Sequence, residues 1–134
     1  MWQAAGAEVL NLSVEEHDKV LAATSHLPHV IAYALVDTLC NNACRETIFR
    51  YAAGGFRDFT RIASSDPTMW HDIVLTNREA ILASIDTFQR DLGDMRNAVE
   101  RQDSPYLLEV FTRAKTARDL YVQEIDKKQK ASNR

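Results

Sequence analysis

At 134 residues with 46% apolar side chains, the chain is sized for one domain around a single buried core. Sixteen basic against nineteen acidic residues leave a formal net charge of -3, which excludes a broad electrostatic attraction to nucleic acid or an anionic membrane, so any anion site must be local. Four glycines and three prolines are too few for a many-stranded sheet, no run nears the ~20 apolar residues of a membrane span, and no signal peptide opens the chain. An all-α, cytoplasmic protein is expected.

Residues 1–12, MWQAAGAEVLNL, read as the tail of a helix, a break at Gly6 and a short apolar strand, like the end of another domain. Ser13 with Glu16 three residues on forms a capping box that starts a helix at Val14, running to about Leu39. Pro28 falls inside it. Proline has no N–H and its ring crowds the preceding turn, which predicts a kink or a freed carbonyl near Thr24 and Ser25. Residues 30–39, VIAYALVDTL, are apolar on almost every face and need cover all round. A partner subunit is the simplest source of that cover, and wrapping by the chain's own helices is the alternative. Cys40 and Cys44 lack a second pair at zinc-site spacing and read as packing or surface thiols.

A short helix is expected over 46–51 and another from Gly54 and Gly55 to about Ala63. Asp66 followed by Pro67 restarts the helix, by a side-chain cap and a proline tolerated in the first turn. In its continuation Ile81, Ile85, Phe88, Leu92, Met95 and Val99 alternate spacings of four and three, the seam of a helical bundle. Gly93 within the seam suggests a close helix contact. Asp103, Ser104 and Pro105 repeat the cap-and-proline device. Leu107, Phe111, Ala114, Tyr121 and Ile125 give the last helix a stripe expected to pack back on the helix before it. The tail KKQKASNR should fray.

Two polar clusters could carry chemistry. The first is His17, Asp18, Ser25, His26 and His29 around the proline. His26 and His29 share a helical face, but a metal needs three or four ligands and none completes the set. Packing histidines with satisfied hydrogen bonds are the competing reading. The second is GGFRDFTRI, where Arg57 and Arg61 share a face near a Gly-Gly helix start, with Asp58 between them. Two guanidinium groups there make a credible carboxylate or phosphate site. Pairing of both with Asp58, Asp66 or other helix carboxylates is the alternative. No nucleophile with its base is recognisable, and no GxGxxG turn is present.

HDKVLAATSHLPHVIAYALV and AGGFRDFTRIASSDPTMWHDI closely resemble two signatures of the C-terminal domain of the prephenate dehydrogenases, and the resemblance runs over about residues 6–121. It implies a helical-bundle dimerisation domain, with an intertwined homodimer expected. It also implies a division of the chain: 1–12 as the end of a missing N-terminal dinucleotide-binding domain, 13–126 as the dimerisation and substrate-binding domain, and 127–134 as a flexible tail or a linker to another shikimate-pathway enzyme. Such enzymes oxidatively decarboxylate prephenate to 4-hydroxyphenylpyruvate with NAD or NADP in tyrosine biosynthesis. The catalytic histidine and the cofactor site belong, in this family, to the other domain. No catalytic residue, cofactor or metal is therefore expected in these residues, and the isolated chain should be inactive.

By the resemblance, Arg61 grips a substrate carboxylate, and His29 lines the pocket and senses tyrosine, a product-like inhibitor. Gly54 and Asp58 shape the pocket and its ionic network, and Trp70 is an aromatic near it. Arg57, His26 and Ser25 are assigned to the site with less defined roles. His17 and Asp18 fall near the domain junction. A helical regulatory module that binds tyrosine or another small carboxylate without catalysis is the alternative function, and a metal-binding bundle ranks third.

Overall fold

A computed structural model describes residues 11–132, so the helix tail and most of the strand expected in residues 1–12 lie outside the described residues. Helices α1 (Val14–Leu21), α2 (Leu27–Cys40), α3 (Arg45–Arg50), α4 (Gly54–Thr60), α5 (Pro67–Thr76), α6 (Arg78–Arg101) and α7 (Ser104–Ser132) follow in order. A π-helical turn, Ala22–His26, joins α1 to α2, and a 3-10 turn, Arg61–Ser64, follows α4. No strand occurs among the described residues, as an all-α chain requires. Leu12–Phe88 form one compact unit, and the described residues from Gln89 onward belong to another.

In the first unit the caps act as the sequence predicts. Ser13 Oγ accepts from the Glu16 N–H at 3.2 Å and the Glu16 carboxylate accepts from the Ser13 N–H at 3.0 Å. Such a cap contributes about 1 kcal/mol. Asp66 Oδ1 accepts from the Met69 N–H at 2.8 Å and starts α5 in the same way. Pro28 produces the π-helical turn: the Leu27 N–H reaches back to the Ala22 carbonyl, five residues away. That widening relieves the clash between a proline ring and the turn before it. Within this turn the Ser25 carbonyl accepts from His29 Nδ1 at 2.8 Å.

α2 is covered in part by its own chain. The 3-10 turn, α3 and α4 pack on it, Ala32 is buried, and the Tyr33 hydroxyl donates to the Ser65 carbonyl at 2.7 Å. Val30, Ile31, Leu35, Val36 and Leu39 remain half-buried.

The helix expected to run on from Pro67 is instead interrupted at Asn77, whose φ of -101° and ψ of 36° leave helical geometry. The cause is tertiary. Asn77 Nδ2 donates to the Asp18 carbonyl at 2.9 Å and to His26 Nδ1 at 3.2 Å, tying the end of α5 to α1 and to the π-helical turn. Next to this joint Ile81 is buried, whereas Leu92 and Val99 of the expected α6 seam are more than half exposed. His26 is itself 8% exposed. Burial pushes its pKa below the ordinary 6.5; the nearby His29 and His17 add to the depression and Asp18 opposes it.

In the second unit α6 ends on a Schellman motif. The Asp103 N–H reaches the Ala98 carbonyl at 2.8 Å and the Gln102 N–H reaches that of Val99 at 3.1 Å. Gln102 holds the left-handed position, φ 53°, that glycine usually fills. Asp103 then turns to cap α7, accepting from the Tyr106 N–H at 3.1 Å. Three expectations are corrected here. No close contact surrounds Gly93, since a Cβ there would meet nothing within 4 Å among the described residues. Nor does α7 pack back along the C-terminal part of α6: no run of close approach joins them among the described residues, and Phe111 is 56% exposed. An apolar stripe reports that a face is to be covered without saying by what. Finally, α7 continues through Ser132 instead of ending near Lys127. Lysines in its last turns complement the helix dipole and favour that continuation.

Two outcomes test this reading. Gln102→Gly removes the left-handed penalty and is expected to raise stability by roughly 0.5–1 kcal/mol in chemical denaturation, whereas a loss would show that the Gln102 side chain is needed there. A depressed His26 pKa means that the unfolded chain binds the proton first. Its contribution is complete above 6.5 and is lost as pH falls from there toward the depressed folded value. Between about pH 7.5 and about pH 5 the Tm of the wild type should therefore fall further than that of His26→Gln, and parallel curves would refute the assignment.

Candidate functional site

Three residues apart across the proline, His26 closes the π-helical turn and His29 stands in the first turn of α2. α5 brings Trp70 to both. The His29 ring stacks on the indole with centroids 3.7 Å apart and planes 19° from parallel, and His26 meets it edge-on at 5.9 Å and 79°. Trp70 is 8% exposed, and its Nε1 is a buried donor with no partner among the described residues. His29 Nδ1 must carry a proton, because the Ser25 carbonyl it faces can only accept. The lone pair of the neutral ring is then at Nε2. Beside this cluster, an apolar groove of about 320 Å³ runs between α2 and α5, lined by Val30, Tyr33, Pro67, Trp70, Val74 and Leu75.

The arginines stand on α4 and the 3-10 turn. Ala53 gives α4 no side-chain cap, and a Cβ on Gly54 or Gly55 would point into open space, so this helix start is uncrowded. Arg57 and Asp58 are both exposed and lie 3.9 Å apart, too loose and too wet to contribute much. Arg61 is exposed and makes no ion pair or hydrogen bond among the described residues. The pairing with Asp58 or Asp66 that competed for it is not formed: Asp58 is beside Arg57, and Asp66 caps α5. The turn that carries Arg61 is held against α2 by the bond from Tyr33 to Ser65.

The structure thus gathers His26, His29, Trp70 and the Ser25 carbonyl, with Arg61, Arg57, Asp58 and Gly54 on the neighbouring α4 segment. No bond or ring contact joins Arg61 to the histidine cluster among the described residues. His17 and Asp18 form an exposed pair at 3.2 Å. No group of three or more potential metal ligands occurs among the described residues. Cys40 and Cys44 are free and exposed. Two residues at this joint were not singled out in the sequence, Asn77 and Tyr33. An Asn closing an apolar helical run is a helix-stop signal, and a Tyr inside an apolar stretch has a hydroxyl that needs a partner.

Residues 13–113 match the family described as prephenate dehydrogenase, dimerization domain. The chain is 47% identical over 119 residues to the cyclohexadienyl dehydrogenase of Zymomonas mobilis, covering 87% of this chain and 41% of that protein. To the prephenate dehydrogenase of Bacillus subtilis it is 44% identical over 114 residues, covering 84% of this chain and 31% of that one. The crystal structure of an Aquifex aeolicus prephenate dehydrogenase in complex with hydroxyphenyl propionate and NAD+ superposes with a TM-score of 0.81 at 42% identity, covering 87% of this chain and 41% of that chain. The chain spans between 31% and 41% of the length of these relatives. On the match across 13–113, the chain belongs to the prephenate dehydrogenase dimerization domain family.

Proposed function

We propose that this chain supplies the dimerising, substrate-binding part of a cytoplasmic prephenate dehydrogenase of tyrosine biosynthesis. In that reaction prephenate and NAD(P)+ give 4-hydroxyphenylpyruvate, CO2 and NAD(P)H. The described residues offer no strand leading into a glycine-rich turn, so they do not fit a dinucleotide, and we assign the cofactor to a domain outside them. What these residues contribute is recognition of the acid.

The observation that carries the reading is the uncommitted guanidinium of Arg61, within a family match that spans 13–113. Prephenate is a dianion, and a guanidinium binds a carboxylate through two parallel charge-assisted hydrogen bonds. Arg57 adds positive charge to the same segment, Asp58 limits it, and the open space at Gly54 leaves room for a ligand. His29 and Trp70 form an aromatic wall suited to the ring of the substrate, with Ser25 fixing the His29 ring and His26 beside it. Tyrosine shares the carboxylate and a six-membered ring, and we propose that it competes at this site. Free exposed cysteines fit a reducing cytoplasm.

The family's dimerisation role has a physical counterpart in the apolar surface left open. Leu108, Phe111, Leu120 and Tyr121 of α7 are all more than half exposed, and α2 is only half covered. A second copy covering these faces in an intertwined homodimer would remove them from water.

Light scattering on the chain should give a dimer, and Phe111→Asp should weaken it; a wild-type monomer would contradict the interface. In an enzyme that joins this domain to its nucleotide-binding domain, Arg61→Ala should raise the KM for prephenate by roughly 10–100-fold and leave that for NAD+ nearly unchanged. Equal losses for both ligands would point to a structural arginine.

A further inference from the structure

We infer that Asn77 is a positioning residue: its amide holds His26 as the Nε2–H tautomer and so presents a fixed N–H donor for a ligand carboxylate. The ligand half of this inference rests on the proposed placement of His26 in the substrate pocket. The tautomer half rests on geometry alone.

The Asp18 carbonyl can only accept, so the nitrogen of the Asn77 amide must be the end that faces it at 2.9 Å. The second hydrogen of the same NH2 group is directed to His26 Nδ1 at 3.2 Å. Nδ1 must therefore offer a lone pair, and the proton of the neutral ring resides on Nε2. The alternatives are both worse. A proton on Nδ1 would set N–H against N–H, and turning the amide over would set Asn77 Oδ1 against the Asp18 carbonyl. Nothing else fixes this ring: Trp70 meets it edge-on, and Nε2 makes no hydrogen bond among the described residues. The ionisable groups around it are His29 of α2 and Asp18 and His17 of α1.

His29, three residues on, is held in the opposite state, with its proton on Nδ1 by the Ser25 carbonyl and its lone pair at Nε2. The two rings are thus complementary. His26 offers a donor, which suits an acid oxygen, and His29 offers an acceptor, which suits a hydroxyl. This pairing fits a hydroxylated carboxylic acid and disfavours a cation at His26.

The test is long-range proton–nitrogen NMR of the histidine rings in the full chain, above the His26 titration. His26 should show the Nε2–H pattern, become a tautomer mixture in Asn77→Ala, and shift to Nδ1–H or to the charged ring in Asn77→Asp, whose carboxylate accepts. His29 should remain Nδ1–H in all three proteins, which reports that the fold is intact. With hydroxyphenyl propionate as the probe, the His26 Nε2–H proton should move downfield, and Asn77→Ala should bind the probe roughly tenfold more weakly. An Nδ1–H pattern in the wild type, or one unchanged in both variants, overturns the inference. Retained tautomer control with His26 silent to a probe that perturbs Arg61 overturns the donor role alone. Silence at Arg61, His29 and His26 together overturns the substrate-site reading and the donor role with it, while leaving the tautomer lock intact.

Discussion

Pro28 has no N–H to donate, and the helix accommodates it by one wide turn at Ala22–His26. The rest of the site depends on that constraint. In the widened turn the Ser25 carbonyl accepts from the His29 ring and His26 meets Asn77. Trp70 then packs on both histidines, so that a defect in one helix becomes the joint between α1, α2 and α5.

The joint also takes in polar groups: His26 is buried, and Asn77 and Asp18 are half-buried. Asn77 bridges His26 Nδ1 and the Asp18 carbonyl there, and a buried polar group left unmatched costs about 1–3 kcal/mol. Trp70 Nε1 is the exception, a donor with no acceptor among the described residues. Arg61 lies at the other extreme, exposed and without an ion pair among the described residues. Its charge is worth little to folding, which leaves it available for an anion.

Much of the helical layout was legible because its signals are local. Ser13 with Glu16, Asp66 with Pro67, and Asp103 each cap a helix through side chains within three residues of the cap. Pro28 announced its own disturbance. Asn77 did not announce its role, because its partners are 51 and 59 residues away in sequence and no periodicity encodes them. The direction of α7 was illegible for a related reason: Leu107, Phe111 and Tyr121 form a stripe whatever body covers it. Of the site, Arg61 and the histidines could be marked as candidates by residue type and spacing. The stacking of His29 on Trp70 could not, since 41 positions separate them and only the fold of α5 against α2 brings them together.

Family membership narrows the meaning of this arrangement without exhausting it. The matched segment spans 13–113, and the relatives are between two and three times longer; the proposed function divides the work, with anion recognition here and hydride chemistry outside the described residues. Calorimetry of the full chain against hydroxyphenyl propionate and, separately, NAD+ tests that division most directly. The account predicts heat of binding for the carboxylate, lost in Arg61→Ala, and none for NAD+. Binding of NAD+, or carboxylate binding indifferent to Arg61, would contradict it.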